Sequence, residues 1–239
     1  FNWQPDNWRD FYFRIADEAP VSTVYVGEAI CFKRAPLFDD YRDAVIARLS
    51  AAGKTVVRST VAEVMSKQER KMIDEACADT SVMVEANDGS ALLRLRGRPH
   101  HAGPFVNVYN ERTVAVLAAC GVCNVCLPPE MPASAIRALV PEAAKLGVSI
   151  EVQVFGRVGL ALSARCYHAR AHGRTKDSCQ FVCNEDVDGM TLRTLEDKPF
   201  LTVNGIQTMS HDYLNLAGEL AELQDMDKQA IALLKQYGG

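Results

Sequence analysis

Short runs of apolar, often β-branched residues recur along the chain, and a stretch with helical spacing follows each. TVYVGE (23–28), TVVRST (55–60), VMVEA (82–86), FVNVYN (105–110), NVCLP (124–128) and SIEVQVF (149–155) read as strands. Helices are predicted over roughly 5–19, 36–52, 61–78, 88–96, 111–120 and 132–146. Pro5 and Asp6 suit a first helical turn, and Gly53, Gly121 and Gly147 stand where helices should end.

Strands that are apolar on both faces and alternate with helices predict a parallel sheet covered on both sides. At least six such units in succession predict an α/β fold, a TIM-like (β/α) barrel forming one domain over 1–239. No G-x-G-x-x-G follows the first strand, so a dinucleotide-binding open sheet loses support. The alternation breaks at 165–190, a polar, basic, cysteine-containing insertion. A strand FLTVNG at 200–205 and a helix at about 210–226 resume the pattern.

The cysteines form two competing groups. Cys120, Cys123 and Cys126 make a C-x-x-C-x-x-C run that looks like a ferredoxin cluster loop. Strand geometry counts against it. Cys123 and Cys126 lie at the start of and within a strand, and residues three apart in a strand point to opposite faces. The turn before that strand also sits on the N-terminal face of a barrel, opposite the usual site. Those thiols, and Cys77 near a helix end, read as small buried apolar groups. Cys166, Cys179 and Cys183 instead follow the strand at 149–155, and Cys31 follows the strand at 23–28. All βα loops of a barrel open on one face, so these four can converge despite their distance in sequence.

Four thiolates favour Zn²⁺ or an iron–sulfur cluster. The C-x12-C-x3-C spacing with one distant ligand lacks the paired knuckles usual in structural zinc sites, and favours a 4Fe–4S cluster. Arg165, Arg170, Arg174 and Lys176 surround the ligands, and cations offset the negative charge of a cluster held by four thiolates. His168 and His172 have helical i, i+4 spacing, but no Glu follows His168, which excludes H-E-x-x-H chemistry. His168, Arg170 and His172 read as residues behind the ligands or facing a substrate. Glu28, Asn107, Asn110, Gln153, Arg157 and Asn204 stand near predicted strand ends and are pocket candidates by position.

Bulk properties narrow the functional classes. The chain has 239 residues, 48% hydrophobic and 23% charged, which is ordinary globular composition. Its net charge of −4 and pI of about 5.8 oppose a sequence-independent nucleic-acid binder. No apolar run is long enough to span a membrane. Eight cysteines in a chain this size point to metal chemistry in a reducing, cytoplasmic setting rather than to disulfide staples.

RCYHARAHGRTKDSCQFVC (165–183) and YVGEAICFKR (25–34) carry a close resemblance to the collagenase-like family of cluster-binding barrels, whose older name calls them peptidases. GPFVNVYN, CLPPE, EVQVFGR, CNEDVDGM and PFLTVNGIQTMS extend it over nearly the whole chain. The resemblance is to the iron–sulfur subunit of oxygen-independent ubiquinone biosynthesis within that family. It implies a 4Fe–4S cluster on Cys31, Cys166, Cys179 and Cys183, a heterodimer with a UbiU-like partner, and a subunit role in an O2-independent hydroxylase. A quinone precursor is the implied substrate and prephenate the implied oxygen donor. Relative to the family, a first strand before residue 1 and a strand after the helix ending near Met226 are expected to be missing, because LQDMDKQAIALLK reads as helix into helix. Two other functions fit parts of the pattern: a prephenate-dependent tRNA-base hydroxylase of the sister family, and a structural zinc-binding barrel. Peptidase chemistry has no support, since no G-x-S-x-G, H-E-x-x-H or papain-like cysteine motif is present.

Overall fold

A computed structural model describes residues 2–226 and the backbone of 231–233. Six strands, β1 (Thr23–Val26), β2 (Thr55–Ser59), β3 (Met83–Ala86), β4 (His100–Ala102), β5 (Val122–Cys126) and β6 (Ser149–Gln153), pair in parallel in chain order. Helices α1 (Pro5–Glu18), α2 (Asp39–Ala51), α3 (Lys67–Ala78), α4 (Gly89–Arg94), α5 (Glu111–Ala119) and α6 (Ala133–Lys145) alternate with them. The sheet curls into a half-barrel. In a flat sheet β1 and β6 would lie five spacings, roughly 24 Å, apart. Yet the Tyr25 hydroxyl on β1 is 2.5 Å from Glu151 Oε1 on β6.

The apolar core lies between the outer face of the sheet and the helices. Val24, Val26 and Val56 pack with Trp8, Val45 and Leu49. Val84 and Ala86 pack with Ile73, Ala91 and Leu95. Val125 and Ile150 pack with Leu117, Ile136 and Leu139. Each such large side chain contributes about 1.5–3 kcal/mol on full burial. The inner face is different. Tyr25, Glu85, His101, Asn124 and Glu151 alternate with those core residues and so face inward.

The chain then builds a second sheet. β7 (Phe155–Leu162), β8 (Met190–Arg193), β9 (Pro199–Asn204) and β10 (Gln207–Asn215) form a four-stranded antiparallel sheet in the order β7-β10-β9-β8. Helix α7 (Tyr167–Ala171) lies between β7 and β8, and α8 (Leu220–Met226) follows β10. A final strand, β11 (Ile231–Leu233), pairs in parallel with β6 and makes the first sheet seven-stranded.

Several boundaries differ from the sequence expectation. FVNVYN at 105–110 is not a strand: Pro104 opens a short 3₁₀ turn, Asn107 is left-handed at φ 58°, and the Asn110 side chain caps α5 through Thr113 N–H. The strand there is the shorter, more polar His100–Ala102. Helix α3 begins at Lys67 rather than 61, because Ser66 and Glu69 form a reciprocal capping box at that point. The helix expected at about 210–226 begins as the last six residues of β10, to Asn215, and is helical only from Ala217 onward. Alternate burial of Gln207 and Met209 beside β9 decides that stretch. The strand expected to be missing after Met226 is present as β11. A closed barrel is not formed among the described residues, since β1 and β11 end the sheet without pairing to each other.

Candidate metal centre

β1 ends at Val26, and Gly27 follows with φ 133°, its Cα so close to β2 that a Cβ would meet Ser59 O at 2.9 Å. Only glycine adopts this turn without strain. The turn aims Glu28 back at the loop it opens. Glu28 Oε1 accepts hydrogen bonds from Ile30 N–H at 2.8 Å and Cys31 N–H at 3.0 Å. Its other oxygen pairs with Arg34 Nε at 3.0 Å. Arg34 is 3% exposed. Its guanidinium also donates to Asn204 Oδ1 at 2.9 Å and to Asn2.

Cys166 is the N-cap of α7, its sulfur accepting from Ala169 N–H at 3.4 Å. Between Cys179 and Cys183 the chain turns through two successive left-handed residues, Gln180 (φ 50°) and Phe181 (φ 54°). Non-glycine residues rarely take this conformation, and they do so mostly where the surrounding structure requires it. The segment is anchored from outside as well. Lys33 Nζ donates to the carbonyls of Lys176 and Asp177, at 2.6 and 2.9 Å. Lys176 Nζ pairs with the buried Glu69 at 3.0 Å. The tip of the β9–β10 hairpin supplies Asn204 to Arg34 and the Gly205 carbonyl to His168 N–H.

Cys31, Cys166, Cys179 and Cys183 line one pocket, with Arg34, Lys176 and His168 among its other walls. No disulfide joins any cysteine. Burial pushes the Cys31 thiol up to about 11, against the pull of Arg34, and burial also raises Cys183. Arg34 remains a firm cation: burial would weaken it, but Glu28 and the thiols of Cys31 and Cys183 outweigh that. Four soft sulfur donors beside two pinned cations are a donor set suited to a thiolate-held cluster or to zinc.

A family model described as peptidase family U32 matches residues 7–235.

The chain belongs to peptidase family U32. No solved structure matches it.

The U32 chain places its remaining sequence candidates unevenly. Glu28, Asn204 and His168 meet at the thiol pocket, the first two through Arg34. Of the four basic residues expected around the ligands, Lys176 lines the pocket, Arg174 lies near by with one nitrogen 3.5 Å from Cys179 O, and Arg165 and Arg170 are exposed. Arg170 thus points to solvent, while His172 faces Asp186. Asn107 is exposed and Asn110 serves as a helix cap. Gln153 is buried, donating to the carbonyls of Phe155 and Arg157. Arg157 donates to the Ser210 and His211 carbonyls and lies over the Tyr213 ring, within the second sheet. The C-x-x-C-x-x-C run stays apart: Cys126 is buried in β5 and Cys123 donates to His100 O at 3.4 Å.

Sequence reasoning missed Arg34, although it stands in the same CFKR stretch as Cys31. It also missed the inner face of the half-barrel. There the Tyr25 hydroxyl lies 2.8 Å from His101 Nδ1 as well as 2.5 Å from Glu151, and Glu85 accepts from Ser59 Oγ at 2.7 Å. Burial and the carboxylates of Glu151 and Glu85 push the Tyr25 phenol far up, so it stays a hydrogen-bond donor. A signal was available: VYV, VEA and IEV each carry one polar side chain between two apolar ones.

Proposed function

We propose that this U32 chain is a 4Fe–4S protein of the UbiV type that acts with a UbiU-like partner in the oxygen-independent hydroxylation step of ubiquinone biosynthesis. The observation that carries the reading is the single pocket lined by Cys31, Cys166, Cys179 and Cys183. The buried Arg34 at its wall adds support, since a cluster on four thiolates is an anion and needs a fixed countercharge. The hydroxylation step, the partner, the quinone precursor and prephenate as oxygen donor rest on the sequence resemblance.

Under this reading the four cysteines hold the cluster, and full protein ligation suits it to electron transfer. Glu28 fixes the Cys31 loop, Glu69 fixes the Lys176 segment, and Asn204 orients Arg34. No helix among the described residues is long and apolar enough to cross a membrane.

The test is anaerobic co-purification with the UbiU-like partner, followed by iron and acid-labile sulfide analysis. Broad visible absorbance with iron and sulfide is expected. Cys166→Ala should abolish the absorbance and Cys123→Ala should keep it. Zinc without sulfide would replace this reading with a structural zinc barrel.

A further inference from the structure

We propose that His168, His172 and Asp186 form a mononuclear site for a divalent transition metal, distinct from the thiol pocket. Their donor atoms all lie within 4.8 Å of one another. His168 Nε2 is 2.7 Å from Asp186 Oδ2, and His172 Nε2 is 3.6 Å from the same oxygen. Donors at about 2.1 Å from a shared ion stand roughly 3.0–3.4 Å apart. The two separations to the shared carboxylate oxygen bracket that range.

A simple histidine–carboxylate hydrogen bond accounts for His168 but not for the second ring. His172 closes α7 and turns its Nε2 toward Asp186. The two rings are nearly parallel, 11° apart, with centroids 5.6 Å from each other. Glu185 lies 3.8 Å from the other nitrogen of His172, within ion-pair range though beyond hydrogen-bond distance. The segment carrying Asp186 is held by its backbone. Asp186 N–H donates to Cys183 O, and Asp186 O accepts from Asn2 Nδ2 and Gly189 N–H.

Access is built in. His168 is fully buried, while His172 and Asp186 are 30% and 33% exposed. One anchor and two solvent-reachable donors let an ion enter without opening the fold. Two imidazoles and one carboxylate suit Fe²⁺, Zn²⁺ or Mn²⁺ and leave coordination positions open for water or a small oxygen ligand. His168 also lines the thiol pocket, so the ion would occupy a position next to that pocket's wall.

Mn²⁺ is the probe, because it prefers carboxylate and imidazole donors over thiolates. Anaerobic full-length protein is titrated with Mn²⁺ while the paramagnetic signal of the free ion is followed. One Mn²⁺ per chain is expected, in the wild type and in Cys166→Ala alike. Asp186→Asn and His172→Ala should each weaken binding at least about ten-fold. Their unfolding midpoints should stay near wild type, since both positions are partly exposed. The Cys166→Ala arm separates this site from the cluster reading: Mn²⁺ binding there survives whatever the cysteines hold. No Mn²⁺ binding up to millimolar concentration would overturn the proposal, as would equal affinity in both variants. Loss of cluster absorbance in His172→Ala would also overturn it, by assigning the histidine to the thiol pocket.

Discussion

Arg34 and Glu28 form a buried ion pair at 3.0 Å beside the thiol pocket. Both belong to the loop that carries Cys31, and Arg34 reaches on to Asn204 in the β9–β10 hairpin. One guanidinium thereby ties the half-barrel to the second sheet.

Arg34→Gln should cost about 3–5 kcal/mol, because a buried carboxylate loses its countercharge. Urea unfolding at neutral pH measures this. Arg34→Lys keeps the charge but not the planar fork, so its loss should be intermediate. An unchanged midpoint for Arg34→Gln would show that the pair holds nothing together.

Glu69 sets a pH dependence. Burial alone would raise its carboxyl, but Lys176 and the N–H groups of Met65 and Ser66 outweigh that and hold it low. The folded state therefore binds the proton more weakly than the unfolded chain. The resulting stability is complete above about pH 5 and is lost as pH falls through the lower folded value. Glu69→Gln should start about 1 kcal/mol less stable at pH 7, as for a lost cap, and should then fall less steeply in acid. Urea midpoints measured from pH 7 down to pH 3 compare the two slopes.

Tyr25→Phe removes the hydroxyl that Glu151 and His101 share across the half-barrel. A cost of about 1–3 kcal/mol is expected in chemical denaturation. His101 reports on the same contact, and its ring NMR resonances should shift in the variant at constant pH. Ring resonances superimposable on wild type would count against the contact.

Two glycines with positive φ offer a contrast. A Cβ at Gly27 meets Ser59 O at 2.9 Å, whereas one at Gly53 meets nothing within 4 Å. Gly53→Ala should cost about 1 kcal/mol from backbone strain alone, and Gly27→Ala should cost clearly more. Gly27→Ala should also disturb the thiol pocket, because Glu28, which holds the Cys31 loop, follows directly. Thermal unfolding ranks the two variants, and equal shifts would contradict the close approach at β2.

Much of the half-barrel was legible because its helices bury one stripe and its strands bury their outer face. Those periodicities depend only on local geometry. After residue 154 only FLTVNG was legible as a strand, and it is β9. There β7 pairs antiparallel with the distant β10, and FGRVGLAL and QTMSHDYLN carry no strong local preference. Similarly, 105–110 has the composition of a strand, but Pro104 and the left-handed Asn107 break it. The site divides the same way. Cys31 was placed with the other three thiols because βα loops share one face. Arg34 and Asp186 gain their positions only when distant segments meet.

By itself, the sequence determined the order of the βα units, the family, and which cysteines stand after strand ends. These follow from residue spacing and from side-chain alternation along single elements. Tertiary structure alone decided that Arg34, rather than the conspicuous arginines of 165–174, faces the thiols, and that Asp186 joins His168 and His172. It also decided that the inner face of the sheet is joined by hydrogen bonds between β1, β4 and β6. Those relationships depend on how the curled sheet and the antiparallel hairpin approach one another, and no local pattern encodes a distance between them.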